Sequence, residues 1–378
     1  MGAVTSTFVE NVRANKWRMF DWQLFLYVIL LIGFGVVMGY SAGYGDAGAA
    51  GMSQTVKTVI WSGIGLTIFF VAASVDYHWL TTFTVPLYLA VLGLLALTMA
   101  IGTSLFGAQM SVTVAGLDFQ FSEVCKVLMI VVLASFLTRR RDRIGRLSTI
   151  VGAGVLMAIP TGLVFLQPDL GTALVFVAIV AGMLFMSGAS VGWLALLTGG
   201  AIAAAPLAIE TFLHGYQRQR LFCFLDPQAD PLGACYQLVQ SLNAVGSGGW
   251  FGQGLTAGGL NRSGFLPVQS TDFIFTVVAE ELGFVGGLIV LALFALLIWR
   301  IMVLAWAAGD ALGSMVAIGL ATMILFQLLV NVGMVIGIMP VTGIPLPFVT
   351  YGGSSMISLL FGMGILQSVR MHSRKATF

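Results

Sequence analysis

Residues 265–284 read "FLPVQSTDFIFTVVAEELGF", with Asp272 at the lip of an apolar run that then takes in two adjacent glutamates, Glu280 and Glu281. A charged side chain inside a bilayer costs at least ~2.5 kcal/mol on insertion scales, so acids that persist there face a partner or a polar cavity. Asp272 stands apart from the other two by keeping access to water. Partial burial raises a carboxylate pKa and makes its ionised form a stronger base, while the open side admits a polar substrate, so Asp272 reads as a general base. The competing reading is a helix cap, because "STD" before "FIFTVV" is also how helices start. Glu280 and Glu281 follow about 12–13 Å further along a helix and diverge by about 100°, so they cannot share one partner. Structural anchoring is expected of at least one of them.

Glu123 and Lys126 are three residues apart, on one face of a helix, where they can pair. A structural ion pair pinning two helices and a functional pair are equally good readings of that spacing. Arg218, Arg220 and Arg262 share the segment that leads to Asp272 and could hold a phosphate or pyrophosphate. Other signals are weaker. "GQGLTA" fits a dinucleotide fingerprint but lacks a strand, turn and helix around it, and His78, His214 and His372 have no metal-ligand spacing. No metal site can be assigned, and neither an organic cofactor nor a nucleic acid is expected. Of the three cysteines, Cys223 and Cys235 lie in one loop; free thiols are expected there, a single bridge being the alternative.

The elements that position these residues follow from composition. A chain of 378 residues that is 58% hydrophobic and 8% charged cannot cover itself with polar surface, which excludes an ordinary soluble domain. Apolar windows of about 20 residues match a hydrocarbon core of ~30 Å. They predict an all-α polytopic membrane protein, one integral domain over 1–378, with about ten transmembrane helices near 24–42, 56–75, 82–102, 123–138, 147–166, 170–187, 192–213, 273–299, 310–337 and 352–369. With both termini cytoplasmic, the inner segments hold twelve of the 17 Lys and Arg, including the "RRRDRIGR" loop at 139–146. The first span is read as an uncleaved anchor. Residues 214–271 then form a large extracytoplasmic loop between helices 7 and 8, mixing aromatics with Asp-Pro turn signals. That composition predicts an ordered cap, with "ACYQLVQSLNAV" as an amphipathic helix on the membrane surface. "GIMPVTGIPLPFVTYGGSS" at 337–355 is too irregular to face lipid and predicts a broken or re-entrant stretch lining a cavity, with Pro340, Pro345, Gly352 and Gly353 among its residues.

Taken together, "YQRQR", "FLDPQADPLGACYQLVQS", "GSGGWFGQG", "FLPVQSTDFIFTVVAEELG" and "NVGMVIGIMPVTGIPLPFVTYGGSS" resemble the SEDS family (shape, elongation, division and sporulation), and "QPDLGTAL" and "FQFSEVCK" are similar to two further signatures of it. The likeness runs from about residue 20 to 370, and "YQRQR" and "GIPLPF" are nearer the elongation branch than the division branch. It implies a peptidoglycan glycosyltransferase of the bacterial cytoplasmic membrane that polymerises lipid II and works with a class B penicillin-binding protein, a transpeptidase. The family's essential aspartate falls on Asp272 and its Glu-x-x-Lys on Glu123 and Lys126; Arg218, Arg220, Gln240 and Ser241 fall in its substrate-binding segment. A divalent cation, Mg or Mn, is compatible with such chemistry. The chain departs from the family pattern at Val268 and Ser270, which replace a glutamate and a histidine, at Gln253 in place of a lysine, and at "GAQMS", 107–111, which lacks an arginine and a tryptophan.

Two other classes compete. A lipid II flippase or another transporter would use Glu123, Lys126 and Glu280 as a midplane relay, but inverted repeats are not visible. A scaffold without chemistry would have no need of Asp272.

Overall fold

The computed structural model describes residues 17–43, 49–105, 108–114, 117–212, 215–259 and 271–372. Ten long helices occupy the positions of the expected spans: α1 (Trp22–Gly43), α2 (Ala49–Ser74), α3 (Thr84–Ile101), α4 (Phe121–Arg139), α5 (Leu147–Leu166), α6 (Leu170–Met186), α7 (Val191–Phe212), then after two cap helices, α8 (Gly215–Leu225) and α9 (Tyr236–Gly248), the long α10 (Ile274–Ala307), α11 (Ala311–Val335) and α12 (Gly353–His372). By length and apolarity α1, α2, α4, α5, α10 and α11 can each cross a bilayer, and α3, α6 and α7 contain shorter apolar helices. α12 is more polar for a physical reason. It sits in the middle of the bundle against α2 and α4, and Ser354, Ser355, Ser358, Gln367 and Ser368 on it are buried in protein instead of meeting lipid.

Contacts at the helix ends fix which termini lie together. At one end Arg300 forks onto Asp21, with Nη2 2.5 Å from Oδ2. At the same end, the Tyr77 hydroxyl donates to Asp310 and the Ser368 hydroxyl donates to the Val75 carbonyl. The other end carries the cap, the proline-rich segment and an addition that the helical reading did not include: a three-stranded antiparallel sheet of β1 (Thr103–Leu105), β2 (Ala108–Val114) and β3 (Leu117–Phe119) between α3 and α4. The alternating, β-branched "SVTV" in β2 is the signal for it.

Segment 336–352 is non-helical and largely buried. It re-enters the bundle. A Cβ on Gly35 would lie 2.7 Å from the Phe348 carbonyl oxygen, and Gly35 is roughly eight residues, about 12 Å, inside the end of α1. Irregular backbone at that depth is tolerated because protein surrounds it.

The cap departs from expectation twice. α9 turns its apolar face onto α10 and α11, with Leu238, Ser241 and Ala244 buried. The apolar face that suggested a lipid contact is spent on the bundle. Cys223 and Cys235 are also not free thiols. Their sulfurs are bonded at 2.04 Å, because the Asp-Pro turns fold the intervening loop back until the two Cα atoms stand 5.1 Å apart.

Helix α10 is broken at Gly283, whose φ of +66° is open to glycine. A helix break strands backbone groups in a dry environment, and here residues 249–254 take them up. The Gln253 and Gly254 amides donate to the carbonyls of Glu280 and Glu281, at 3.0 and 2.9 Å, while the Phe284 and Val285 amides donate to the carbonyls of Gly249 and Trp250, at 2.9 and 3.1 Å. This is what the glycines of "GSGGWFGQG" are for: a Cβ on Gly252 would stand 2.1 Å from the Glu281 carbonyl oxygen. The motif is a backbone splice and not a nucleotide loop.

Candidate active site

Asp272 lies just before α10, and the cap position falls on Phe273, with no side chain bonded to it. The carboxylate is therefore not a helix cap. It points across to the re-entrant segment, where a Cβ on Gly343 would be 3.2 Å from its Oδ2. Asn331, buried in α11, fixes both backbones at once: its amide donates at 2.8 Å to the carbonyls of Asp272 and Ile344. Asp272 keeps some surface open to water, yet burial pushes its pKa up to about 7, with Arg220 pulling it down and Asp169 pushing it further up. Such a group is half ionised near neutrality and is matched to proton abstraction.

Asp169 extends the site. It caps α6 by accepting from the Thr172 amide at 2.9 Å, and its other oxygen accepts from the Gln120 side chain at 3.2 Å. Burial raises its pKa against its hydrogen bonds from Thr172, with Lys126 lowering it and Glu123 raising it. Glu123 and Lys126 pair at 2.7 Å on α4, almost without exposure. A chain of charge thus runs from the Glu123–Lys126 pair through Asp169 to Asp272 and Arg220. Asp169 sits inside "QPDLGTAL", and the signal for it is an aspartate immediately ahead of an apolar helix. Two hydroxyls also escaped sequence reasoning. Ser122 and Thr342 carry buried oxygens with no hydrogen-bond partner, and buried polar groups of that kind are satisfied by water or a ligand.

The remaining candidates separate. Of the two arginines on α8, Arg220 acts on Asp272, whereas Arg218 is exposed and stacks over Phe222, 5.6 Å from the ring centre. Gln240 is half-buried, but Ser241 is fully enclosed, its hydroxyl donating to the Val335 carbonyl at 2.9 Å and standing 3.0 Å from the Thr276 hydroxyl. That is a bond that locks α9 onto α10 and α11. Both glutamates are buried, and Glu281 accepts from the Ser41 hydroxyl at 2.5 Å, which in turn receives the Thr256 amide at 2.9 Å. Glu281 therefore anchors α1 and the cap to the break in α10. Pro340, Pro345 and Gly352 are half-buried in the re-entrant segment, and Gly353 is pressed against the Trp61 ring, 2.4 Å from where its Cβ would be. Gly171, next to Asp169, shows the close approach on the site side, since a Cβ there would meet the Thr342 carbonyl oxygen at 2.8 Å. Arg262, Val268 and Ser270 lie outside the described residues.

The model of the FtsW/RodA/SpoVE family, described as cell cycle proteins, matches residues 21–375. The chain belongs to this family. It is 38% identical over 356 residues to peptidoglycan glycosyltransferase MrdB of Escherichia coli, covering 94% of each chain, and 36% identical over 367 residues to stage V sporulation protein E of Bacillus subtilis, covering 94% of this chain and 98% of that one. In three dimensions it is similar to a chain of a peptidoglycan synthase complex solved for its coordination of polymerization and crosslinking, with a TM-score of 0.80, 33% identity and coverage of 94% and 99%. It is also similar to the Rod shape determining protein RodA of Thermus thermophilus, at a TM-score of 0.71 and 30% identity, with coverage of 94% of this chain and 98% of that one. Gln253 stands in the cap segment that splices into α10. Its side chain closes its own loop, donating to the Ser247 hydroxyl at 2.9 Å and accepting from the Gly259 amide at 3.1 Å.

Proposed function

We propose that this chain is a peptidoglycan glycosyltransferase that polymerises lipid II at the outer face of the bacterial cytoplasmic membrane. Family membership and the names of its relatives support the activity. The observation that carries the mechanism is a partly exposed carboxylate of raised pKa, Asp272, beside the re-entrant segment and acted on by Arg220 and Asp169. Lipid II already bears its leaving group, a pyrophosphate, so the protein has to align an acceptor hydroxyl, take its proton and receive the developing charge. Asp272 removes the proton from the 4-hydroxyl of the acceptor GlcNAc as that oxygen bonds to the donor sugar and the pyrophosphate departs. Arg220, which acts on Asp272, and Lys126, which acts on Asp169, are the cations for the pyrophosphate, with Arg218 exposed on the same helix as Arg220. A divalent cation fits only as a companion of the pyrophosphate. Among the described residues no three His, Cys, Asp or Glu side chains come together as a metal cage, but Asp169 and Asp272 supply two carboxylates, and magnesium is commonly held by one or two of these plus substrate phosphates. Such an ion would neutralise charge on the leaving group.

The partner is a single-pass class B penicillin-binding transpeptidase, in keeping with the synthase complex to which the fold is similar. Protein purified in detergent is expected to convert lipid II, with Mg²⁺ or Mn²⁺ and that transpeptidase present, into glycan strands resolved on a gel, faster than without the partner. Detergent removes the two sides that transport requires. Absence of polymer, together with lipid II movement across sealed vesicles, would assign the chain to the transporters.

Both termini are cytoplasmic in this reading, and the arginine-rich turn at 139–146 faces inward. Arg143→Cys should resist a membrane-impermeant maleimide in intact cells while Gln228→Cys, in the cap, reacts. Labelling at 143 but not at 228 would invert the molecule and place Asp272 on the wrong side for cell-wall synthesis.

A further inference from the structure

Two adjacent aromatics on the cap, Trp250 and Phe251, are 71% and 82% exposed, with Leu255 exposed beside them. Apolar surface left in water forfeits the main driving force of folding, and a contiguous exposed patch marks an interaction site. The pair is not on a slack loop. Four backbone hydrogen bonds tie residues 249–254 to Glu280, Glu281, Phe284 and Val285, and the Thr256 amide adds a bond to the Ser41 hydroxyl near the end of α1. Trp250 also meets the Phe284 ring edge-on, with centroids 5.2 Å apart. The pair is therefore held at a fixed height, level with residues 284 and 285 of α10.

That height can be read along α10. Towards the far end of the helix, exposed Trp299 and Trp306 flank Arg300, which forks onto buried Asp21. Exposed tryptophans beside a cation mark a membrane–water boundary. About 20 residues of helix cross a hydrocarbon core of ~30 Å, so counting back from 300 and 306 puts the opposite boundary between about residues 280 and 286. Phe284 and Val285 fall in that interval. Between the two boundaries Phe284, Leu288, Ala292, Ala295 and Trp299, spaced by three or four residues, form one exposed apolar strip. Trp250 packs on the end of that strip, so the pair continues a lipid-facing surface.

We propose that Trp250 and Phe251 anchor the cap in the membrane–water interface, with their rings among the ester and headgroup groups of the phospholipid leaflet on the cap side. Tryptophan suits that depth, because its body is apolar and its indole N–H seeks an acceptor, and phospholipid ester carbonyls and phosphates are acceptors. The glycine-rich splice then has a second job. Its backbone is bonded to Glu280 and Glu281, in the part of α10 that follows Asp272, so the anchor sets the height of that part of the helix against the headgroups. A membrane-spanning helix of a partner protein would cover the same strip, but the position of the pair at the boundary favours lipid. The anchor and its test are independent of glycosyl transfer.

The test attaches an environment-sensitive fluorophore at Phe251→Cys in the full-length protein, reconstituted without any partner into vesicles of phosphatidylethanolamine and phosphatidylglycerol. Gln228→Cys, exposed in the Asp-Pro turn, is the water-facing reference, and labelled wild type gives the background, since Cys125 is buried. Emission at 251 should be shifted to the blue of that at 228, and aqueous iodide should quench it severalfold less. Nitroxide carried high on the acyl chain should quench it more than nitroxide at the chain end. If Phe251→Cys does not reconstitute, Leu255→Cys carries the same measurement on the same edge. Iodide quenching at 251 equal to that at 228 overturns the anchor, and so does quenching strongest from the chain end. Protection from iodide that appears only when the transpeptidase is added would assign the pair to a protein partner and overturn the lipid contact.

Discussion

Asp272→Asn protein is expected to fold, to accumulate in the membrane and to make no glycan polymer. The substitution keeps the volume and the backbone carbonyl that Asn331 binds at 2.8 Å, and it removes only the proton acceptor. Loss of a general base costs typically ~10²–10⁴ in rate, which would take polymer below what a gel shows. The pH behaviour has a definite sign. With the carboxyl pKa near 7, the wild-type rate should rise with pH through neutrality as the base ionises and fall away below pH 6. Stability runs the other way. The folded-state pKa lies above the ordinary carboxylate value of 3.8, so between those two values the folded protein binds more protons than the unfolded chain and loses stability as pH rises. Asp272→Asn should therefore melt with wild type at pH 4 and above it at pH 8. A variant polymerising at the wild-type rate would remove Asp272 as the base, and one that melts lower at every pH would mean that the carboxylate has a structural job instead.

The parts of this fold legible in the sequence are those set by solvent. The apolar windows and the odd proline-rich stretch follow from what lipid and water tolerate, and long helices stand at those windows while segment 336–352 is non-helical. What stayed hidden depends on partners distant in the chain. Gly283 is one of 47 glycines, and nothing local marks it as the residue where residues 249–254 splice into α10. Ser241 reads as a substrate contact within its motif and is instead a fully buried bond between helices. The cysteine pair could not be decided from a spacing of 12 alone, because whether the loop returns on itself depends on how α8 and α9 sit. Asp272 was legible because one position combined charge, an interface and a motif. Asp169 was not, since a carboxylate ahead of a helix is explained by capping, and only the fold brings its charge to bear on Asp272.

Lys126→Met carries the largest expected cost to stability. Lys126 and Glu123 are 1% and 3% exposed and pair at 2.7 Å, so removing the lysine leaves a carboxylate in a dry interior. Breaking a buried pair from one side typically costs ~3–5 kcal/mol, whereas replacing both partners by uncharged groups of like volume is often neutral. Glu123→Gln/Lys126→Met should therefore recover most of the thermal stability that Lys126→Met loses, read as apparent Tm in detergent at one scan rate. The same pair of variants separates two roles that the spacing alone left even. If the pair is only a brace between helices, the double variant regains polymerisation along with stability. If Lys126 also receives the pyrophosphate, the double variant is stable and still inactive, because the cation that acts on Asp169 has gone while the fold that placed it has not. The second result is the one expected here. Lys126 acts electrostatically on Asp169, Asp169 acts on Asp272, and a brace with no part in the chemistry would have no reason to end at the base.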